Sequence, residues 1–373
     1  SAPTGNQNQG AVMIINFSRS KTFHLCQRKA FNWHHRGLEG QRSMNLVDGG
    51  AFHKGVAVGR ATKDWSQAYA EADRLFDEDV KKSPIPEEQI YLIEDHRELI
   101  HQMIKCFQDH YEHETYQIIQ PECEFDVPLP HSSHNCIFIH WRSRVDGRDY
   151  FTPPTPEDIL LHRVQTPHAE PDRECFCWQP HRLVGKTDAV VSWNNSIWLD
   201  EYKTTSIQGQ QFWDQWVMDL QPSVYLYGIW KSLGIRPRGF LLNSIFKPSE
   251  AQVSAWNKKR KYGPAKEEKD YIQFSREAFL RTEEDLMRTE RLMLQTAMDW
   301  EEQVVSGSER MMNRVPFQYN PGSMSCLNYN RKCDYWSACL SHEDPAELGA
   351  LATRQADYVD VKLEALCDST RTA

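Results

Sequence analysis

The chain has 373 residues, with 43 basic and 52 acidic side chains, a formal charge of −9 and ten cysteines. That length supports a sizeable core, built as one elaborated domain or two closely packed lobes, and no apolar run is long enough for a membrane helix. The charge argues against a uniformly basic nucleic-acid binder, although net charge says little about a single cleft. Residues 1–12 are polar and unlike the rest of the chain, and they read as a disordered expression remnant outside the fold. Met13 opens an apolar run. Residues 18–37 read as a basic helix capped by Ser18, in which Arg19, Lys21, Arg28, Lys29 and Arg36 interleave with Phe23, Phe31 and Trp33. Apolar spacing predicts helices over 56–79 and 87–115. A strand is expected over 122–129.

The stretch 130–180 is rich in proline, histidine and charge and is too long for an ordinary connection. It reads as an insertion holding a hairpin that pairs 136–141 with 148–151. Beyond it, Val190 and Val191 stand before Asn194-Asn195, with Ile197 and Leu199 after, the pattern of two strands and a tight turn. A helix is expected around Gln221, with Gln221 at its start or at a kink because Pro222 comes next. Residues 239–246 read as a strand, 258–261 as a basic loop and 271–274 as a strand. Residues 277–305 read as a helix with Phe279, Leu286, Met293 and Ala297 on one apolar stripe.

The hairpin carries the chemistry. Asp188 precedes its first strand, and the second reads Trp198-Leu199-Asp200-Glu201-Tyr202-Lys203. Neighbouring strands let Asp188 and Glu201 converge on one divalent ion, and strand alternation sends Glu201 and Lys203 to the same face. Hard oxygen ligands favour magnesium or manganese, which can lower the pKa of a bound water, and an ammonium can steady charge growing on a phosphate oxygen. A Gly-x-x-x-His element, Gly49 to His53, lies upstream. A Gln-x-x-x-Tyr element, Gln221 to Tyr225, lies downstream with both side chains on one helical face.

In this order the elements resemble the RecB-like branch of the PD-(D/E)XK nucleases. The resemblance implies an α/β fold with a restriction-endonuclease-like core, in which a mixed central sheet is flanked by helices. It implies His53, Asp188 and Glu201 as ligands of Mg2+ or Mn2+, Lys203 as the catalytic lysine, and Gln221 and Tyr225 as active-site supports. The implied activity is metal-dependent hydrolysis of DNA phosphodiesters, as an exonuclease on single strands or duplex ends.

Ten cysteines without a secretory signal read as a reduced, cytoplasmic setting, in a bacterial or phage-infected cell. Cys26 near one end and Cys326, Cys333 and Cys339 near the other resemble the iron–sulfur subset of these nucleases, which includes AddB-type subunits and CRISPR adaptation exonucleases. That resemblance implies a [4Fe-4S] cluster on four thiolates, joining the N- and C-terminal segments. The final C-x5-C matches that subset, whereas the first gap is six residues rather than two. Zinc on the same four thiolates, or four free thiols, remain alternative readings. Cys175 and Cys177 with the nearby histidines fit no metal spacing.

The expected organisation is a helical region over 13–121, a nuclease core over 122–315 with insertion 130–180, a cluster segment over 316–345 and a tail over 346–373. DNA is the expected partner, reached through the basic helix, the 258–261 cluster and stacking tryptophans. Without a glycine-rich phosphate loop, any helicase or recombination motor would be a separate chain. The competing reading is a non-catalytic DNA-binding or assembly subunit of a larger complex.

Overall fold

The computed structural model describes residues 13–39, 44–82, 92–129, 139–143, 149–152, 173–175, 181–207, 209–247, 272–300, 326–328, 331–341 and 352–353. The basic run 258–261 and residues 1–12 lie outside this set, as do most of 130–180 and of the tail. The elements run in the order β1 (Ile14–Ile15), α1 (Phe17–Leu25), α2 (Gln27–Ala30), a π-helical turn (Phe31–His35) and β2 (Leu38–Glu39). Then come α3 (Met44–Thr62), α4 (Trp65–Lys82), α5 (Leu92–Tyr111), β3 (Gln117–Pro121) and β4 (Glu124–Pro128). The middle holds β5 (Ile139–Ser143), β6 (Asp149–Thr152), β7 (Arg173–Cys175), β8 (Arg182–Lys186), β9 (Ala189–Trp193) and β10 (Ser196–Thr205). The rest comprises α6 (Gln210–Met218), α7 (Leu220–Leu233), β11 (Gly239–Phe246), β12 (Gln273–Leu280), α8 (Glu283–Trp300), β13 (Leu327–Asn328), β14 (Arg331–Lys332), α9 (Trp336–Ser341) and β15 (Ala352–Thr353). None of the described helices is long and apolar enough to cross a membrane.

The chain divides into two compact units, one of 40–124 with 186–286 and the other of 1–39, 125–185 and 287–373. The first is built on a five-stranded sheet of order β12-β11-β10-β9-β3. β10 pairs antiparallel with β9 and parallel with β11, so the sheet is mixed. Asn194 and Asn195 join β9 to β10 with φ of 48° and 54°, the doubly left-handed turn whose twist matches a two-residue hairpin. One core packs α3, α4 and α5 around Phe52, Phe76, Ile100 and Phe107, and reaches the sheet through Tyr202 and Ile245.

Sequence and structure differ at several boundaries, each for a local reason. The first helix is capped by Asn16, which accepts the Arg19 N–H at 2.8 Å, not by Ser18. The basic helix expected over 18–37 breaks at Cys26, whose extended backbone (φ −163°) separates α1 from α2. The expected helix over 56–79 is two helices, α3 and α4. The chain turns at Lys63 (φ 61°), and the Asp64 carboxylate accepts the Ser66 N–H at 2.9 Å to start α4. Strand β3 was not foreseen. The helix expected from 277 starts at Glu283, so Phe279 is on β12, stacked on Phe240 at 4.9 Å, while Leu286, Met293 and Ala297 keep the buried stripe. The hairpin of the insertion is present as β5 and β6, with Trp141 opposite Tyr150, and β7 adds a third strand.

In the second unit, β1 lies parallel to β8, and β4 lies on the other side of β8. The cysteine-bearing pieces meet here: Arg28 donates to the Ala338 carbonyl at 3.3 Å, and the Tyr335 hydroxyl donates to the Leu38 carbonyl.

Two glycines of the first unit make opposite predictions. A methyl group added at Gly239 would sit 2.0 Å from the Phe279 carbonyl oxygen, whereas one added at Gly50 on α3 meets nothing within 4 Å. Gly239→Ala is expected to destabilise by about 1–3 kcal/mol or more, since the obstacle is backbone. Gly50→Ala is expected to stabilise by about 1 kcal/mol through helix propensity. Urea midpoints of the two variants check both signs.

Candidate active site

Every candidate catalytic residue falls in the first unit. Asp188 occupies the bend just before β9, and that bend is stitched to the end of β3: the Glu122 N–H donates to the Asp188 carbonyl at 2.8 Å and the Thr187 N–H to the Cys123 carbonyl at 3.0 Å. The Asp188 side chain is held at both oxygens. One accepts the Tyr202 N–H at 2.7 Å, and the other lies 3.0 Å from His53 Nδ1. With Nδ1 donating to this carboxylate, the lone pair of a neutral ring is on Nε2. His53 reaches this position because α3 runs close over β10. A methyl group at Gly49, one turn earlier, would stand 3.1 Å from Thr204 Oγ1. The Gly-x-x-x-His spacing thus pairs a close-approach residue with the side chain it delivers.

Glu201 is 4% exposed and its carboxylate accepts from Lys203 Nζ at 2.6 Å. Burial, reinforced by Asp188 and opposed by Lys203, pushes its pKa up to about 7. Burial also works against the Lys203 ammonium, but Glu201 and Asp188 outweigh it and hold the lysine above its ordinary range. Lys203 Nζ also lies 5.6 Å from the centre of the Trp216 ring, within reach of the aromatic quadrupole. A buried carboxylate whose proton affinity is raised, with a second carboxylate and a cation beside it, forms a donor set that suits a hard divalent ion. His53 and Asp188 bond to each other and Glu201 to Lys203. Among the described residues, no three His, Cys, Asp or Glu side chains form a ready-made metal cage.

Gln221 lies in the first turn of α7, where Asp219 caps the helix by accepting the Gln221 N–H at 2.7 Å. Pro222 is therefore at a position where its missing N–H costs little. Gln221 Nε2 donates to the Tyr225 hydroxyl at 2.9 Å, as the one-turn spacing predicts. Burial, then the Glu201 charge, pushes Tyr225 up to about 12, so its hydroxyl keeps its proton at neutral pH.

The four singled-out cysteines all fall in the second unit. The six-residue gap between Cys326 and Cys333 is closed by β13 and β14, which pair Leu327 with Lys332, and the Cys333 N–H donates to the Cys326 carbonyl at 2.9 Å. Burial raises the Cys339 thiol pKa, opposed by Arg28 and reinforced by Cys26 and Cys326. Cys333 is likewise raised by burial and also senses Cys26. Cys26 thus lies near enough to influence both Cys333 and Cys339, while among the described residues no three His, Cys, Asp or Glu side chains form a ready-made metal site.

Sequence reading passed over the residue beside Glu201. Asp200 is fully buried and points to the opposite face of β10. It accepts from Arg60 at 2.9 Å, Tyr116 at 2.5 Å, Asn243 at 2.7 Å and the Tyr202 hydroxyl. Burial raises its pKa, with Arg60 the largest opposing influence. The signal was present: strand alternation puts an aspartate next to the candidate catalytic glutamate inside the core, where it must find partners. Arg60→Ala is expected to cost about 3–5 kcal/mol, because it leaves a buried carboxylate without its cation. Adding Asp200→Asn in the same chain should recover part of that loss, and a double-mutant cycle in denaturant measures the coupling.

A family model for the PD-(D/E)XK nuclease superfamily matches residues 15–340. No curated protein matches the chain. The matched span takes in α3, the β9–β10 hairpin and α7, and so every candidate catalytic residue. By the extent of that match, the chain belongs to the PD-(D/E)XK nuclease superfamily.

Proposed function

We propose that the chain is a metal-dependent deoxyribonuclease of the RecB-like branch, acting as an exonuclease on single-stranded DNA or duplex ends and stabilised by a [4Fe-4S] cluster. The observation that carries the reading is the buried Glu201 carboxylate, flanked by Asp188 and paired with Lys203 in the order of the superfamily motif. Asp188 and Glu201 would hold Mg2+ or Mn2+, with His53 completing or orienting the set. The ion would supply an activated water and charge neutralisation on the phosphate. Lys203, kept protonated, presents its ammonium to the negative charge that grows on the phosphate oxygens. The Gln221–Tyr225 pair places a neutral hydroxyl beside Glu201, where it can hold the carboxylate or a phosphate oxygen in place.

Cys26, Cys326, Cys333 and Cys339 would hold the cluster, and the β13–β14 hairpin supports this by offsetting the long first gap of the cysteine trio. Iron–thiolate bonds would cross-link two segments some 300 residues apart in sequence and so add to folding stability.

Glu201→Ala is expected to abolish metal-dependent cleavage, and Lys203→Ala to slow it by about 10²–10³-fold. Timed digestion of single-stranded, duplex and flapped DNA checks both, and unchanged cutting by either variant sinks the catalytic assignment. Protein purified without oxygen is expected to be brown with about four irons per chain. Cys339→Ala should lose colour and melt at lower temperature, whereas a colourless, zinc-loaded protein would overturn the cluster alone.

The raised Glu201 pKa fixes a sign. Between 4.5, the ordinary value, and about 7, the folded state binds more protons at this site than the unfolded state. On this account, stability falls as pH rises through that window. A divalent ion relieves the penalty only where Glu201 is ionised. The melting-temperature increment from saturating Mn2+ should therefore grow from pH 5.5 to 8, and a flat profile would contradict it.

A further inference from the structure

Beside the catalytic residues is a charged group that the proposed chemistry does not use. The Glu122 carboxylate accepts from Lys54 Nζ at 2.9 Å on one oxygen and from Lys186 Nζ at 2.8 Å on the other. Lys54 directly follows His53, and Lys186 stands two residues before Asp188. All three side chains are partly open to solvent, at 31% for Lys54, 43% for Lys186 and 29% for Glu122. Glu122 lines the same crevice as His53, Asp188 and Tyr202.

Two features separate this group from an ordinary surface ion pair. Glu122 has a left-handed backbone, φ 45°, which a residue with a side chain adopts at a cost and which the surrounding hydrogen bonds impose. Its N–H is one of those bonds, made to the carbonyl of Asp188 itself. The charge count also matters. One carboxylate holding two ammoniums leaves a surplus positive charge at the lip of a site that contains Asp188 and Glu201, in a chain whose net charge is −9. Without Glu122, two long flexible ammoniums next to those carboxylates would fold onto them and neutralise the site. With it, both ammoniums are held on the Glu122 carboxylate instead.

We propose that Lys54 and Lys186, held by Glu122, form a clamp for a phosphate group of the substrate strand next to the scissile bond. An anionic strand approaching two buried carboxylates needs compensating charge along its path, and a preorganised pair of ammoniums supplies it without a search for conformers. The clamped phosphate is either an internal phosphodiester or the terminal phosphate of a strand end. The clamp rests on the nuclease reading above, because it assigns that site a second anchoring point.

The test is equilibrium binding of a labelled single-stranded oligonucleotide across a salt series, with Ca2+ in place of Mg2+ to hold back cleavage. Lys54→Gln/Lys186→Gln should weaken binding about tenfold at physiological salt and reduce the log–log salt slope by about 1, near the 0.7 released per neutralised single-strand phosphate. Lys54→Arg/Lys186→Arg should restore both. A loss seen only with a 5′-phosphorylated oligonucleotide identifies a terminal phosphate, and equal loss with a 5′-hydroxyl identifies an internal one. Unchanged affinity and slope in the glutamine variant, with the wild type binding normally, overturns the clamp and leaves the nuclease reading intact. No binding by the wild-type protein overturns both. An unchanged melting temperature in the glutamine variant shows that the loss is not one of folding.

Discussion

The first unit is organised around the burial of two adjacent carboxylates on its central strand. Asp200 and Glu201 are neighbours on β10 and, because strand side chains alternate, they face opposite sides of the sheet. Both are desolvated, and the protein treats them differently. Asp200 is surrounded by a guanidinium, two phenols and an amide, so its charge is answered within the fold. Glu201 has Lys203 but also the like charge of Asp188, so its charge is only partly answered. The first arrangement fixes the strand, and the second leaves a buried carboxylate whose charge is incompletely compensated.

The two faces are linked through Tyr202. Its hydroxyl bonds Asp200, its N–H bonds the Asp188 carboxylate, and its ring packs edge-on to His53 at 6.3 Å. Through that one residue the buried network is joined to the candidate catalytic residues His53 and Asp188. A second brace acts from the helical side. The Asp48 carboxylate, one residue before Gly49, accepts from His96 and from Lys247 in a fully enclosed triad, tying the start of α3 to α5 and to the end of β11. The helix that delivers His53 is thereby fixed on the sheet by charge as well as by packing.

Much of this was legible wherever a single local rule decides the outcome. Asn194-Asn195 specified its turn, residues 239–246 form the strand their composition suggests, and Glu201 and Lys203 share a face because the side-chain period in a strand is two. Boundaries were less legible where a capping side chain overrides an apolar pattern. Thr282 and Asp285 cap each other's backbone N–H at the start of α8, a reciprocal cap that could have been read from Thr282-Glu283-Glu284-Asp285 in place of the Phe279 stripe. The partners of Asp200 are spread from Arg60 to Asn243, and only the folded chain brings them together. The Lys54–Glu122–Lys186 group is similarly assembled from three separate segments.

The same sheet also shapes the protein's behaviour toward its own copies. Its outermost described strands, β3 and β12, each have one margin with no strand partner among the described residues, the kind of margin that could template pairing with another chain. β3 is irregular, with a register shift between Ile118 and Gln120, and it ends on Pro121, which has no N–H to offer. β12 carries Arg276 and Glu277 side by side and is largely solvated along its length. Kinked, proline-ended and charged margins make edge-to-edge association unfavourable. A mixed sheet with two such margins is in this way protected from amyloid-like stacking with itself.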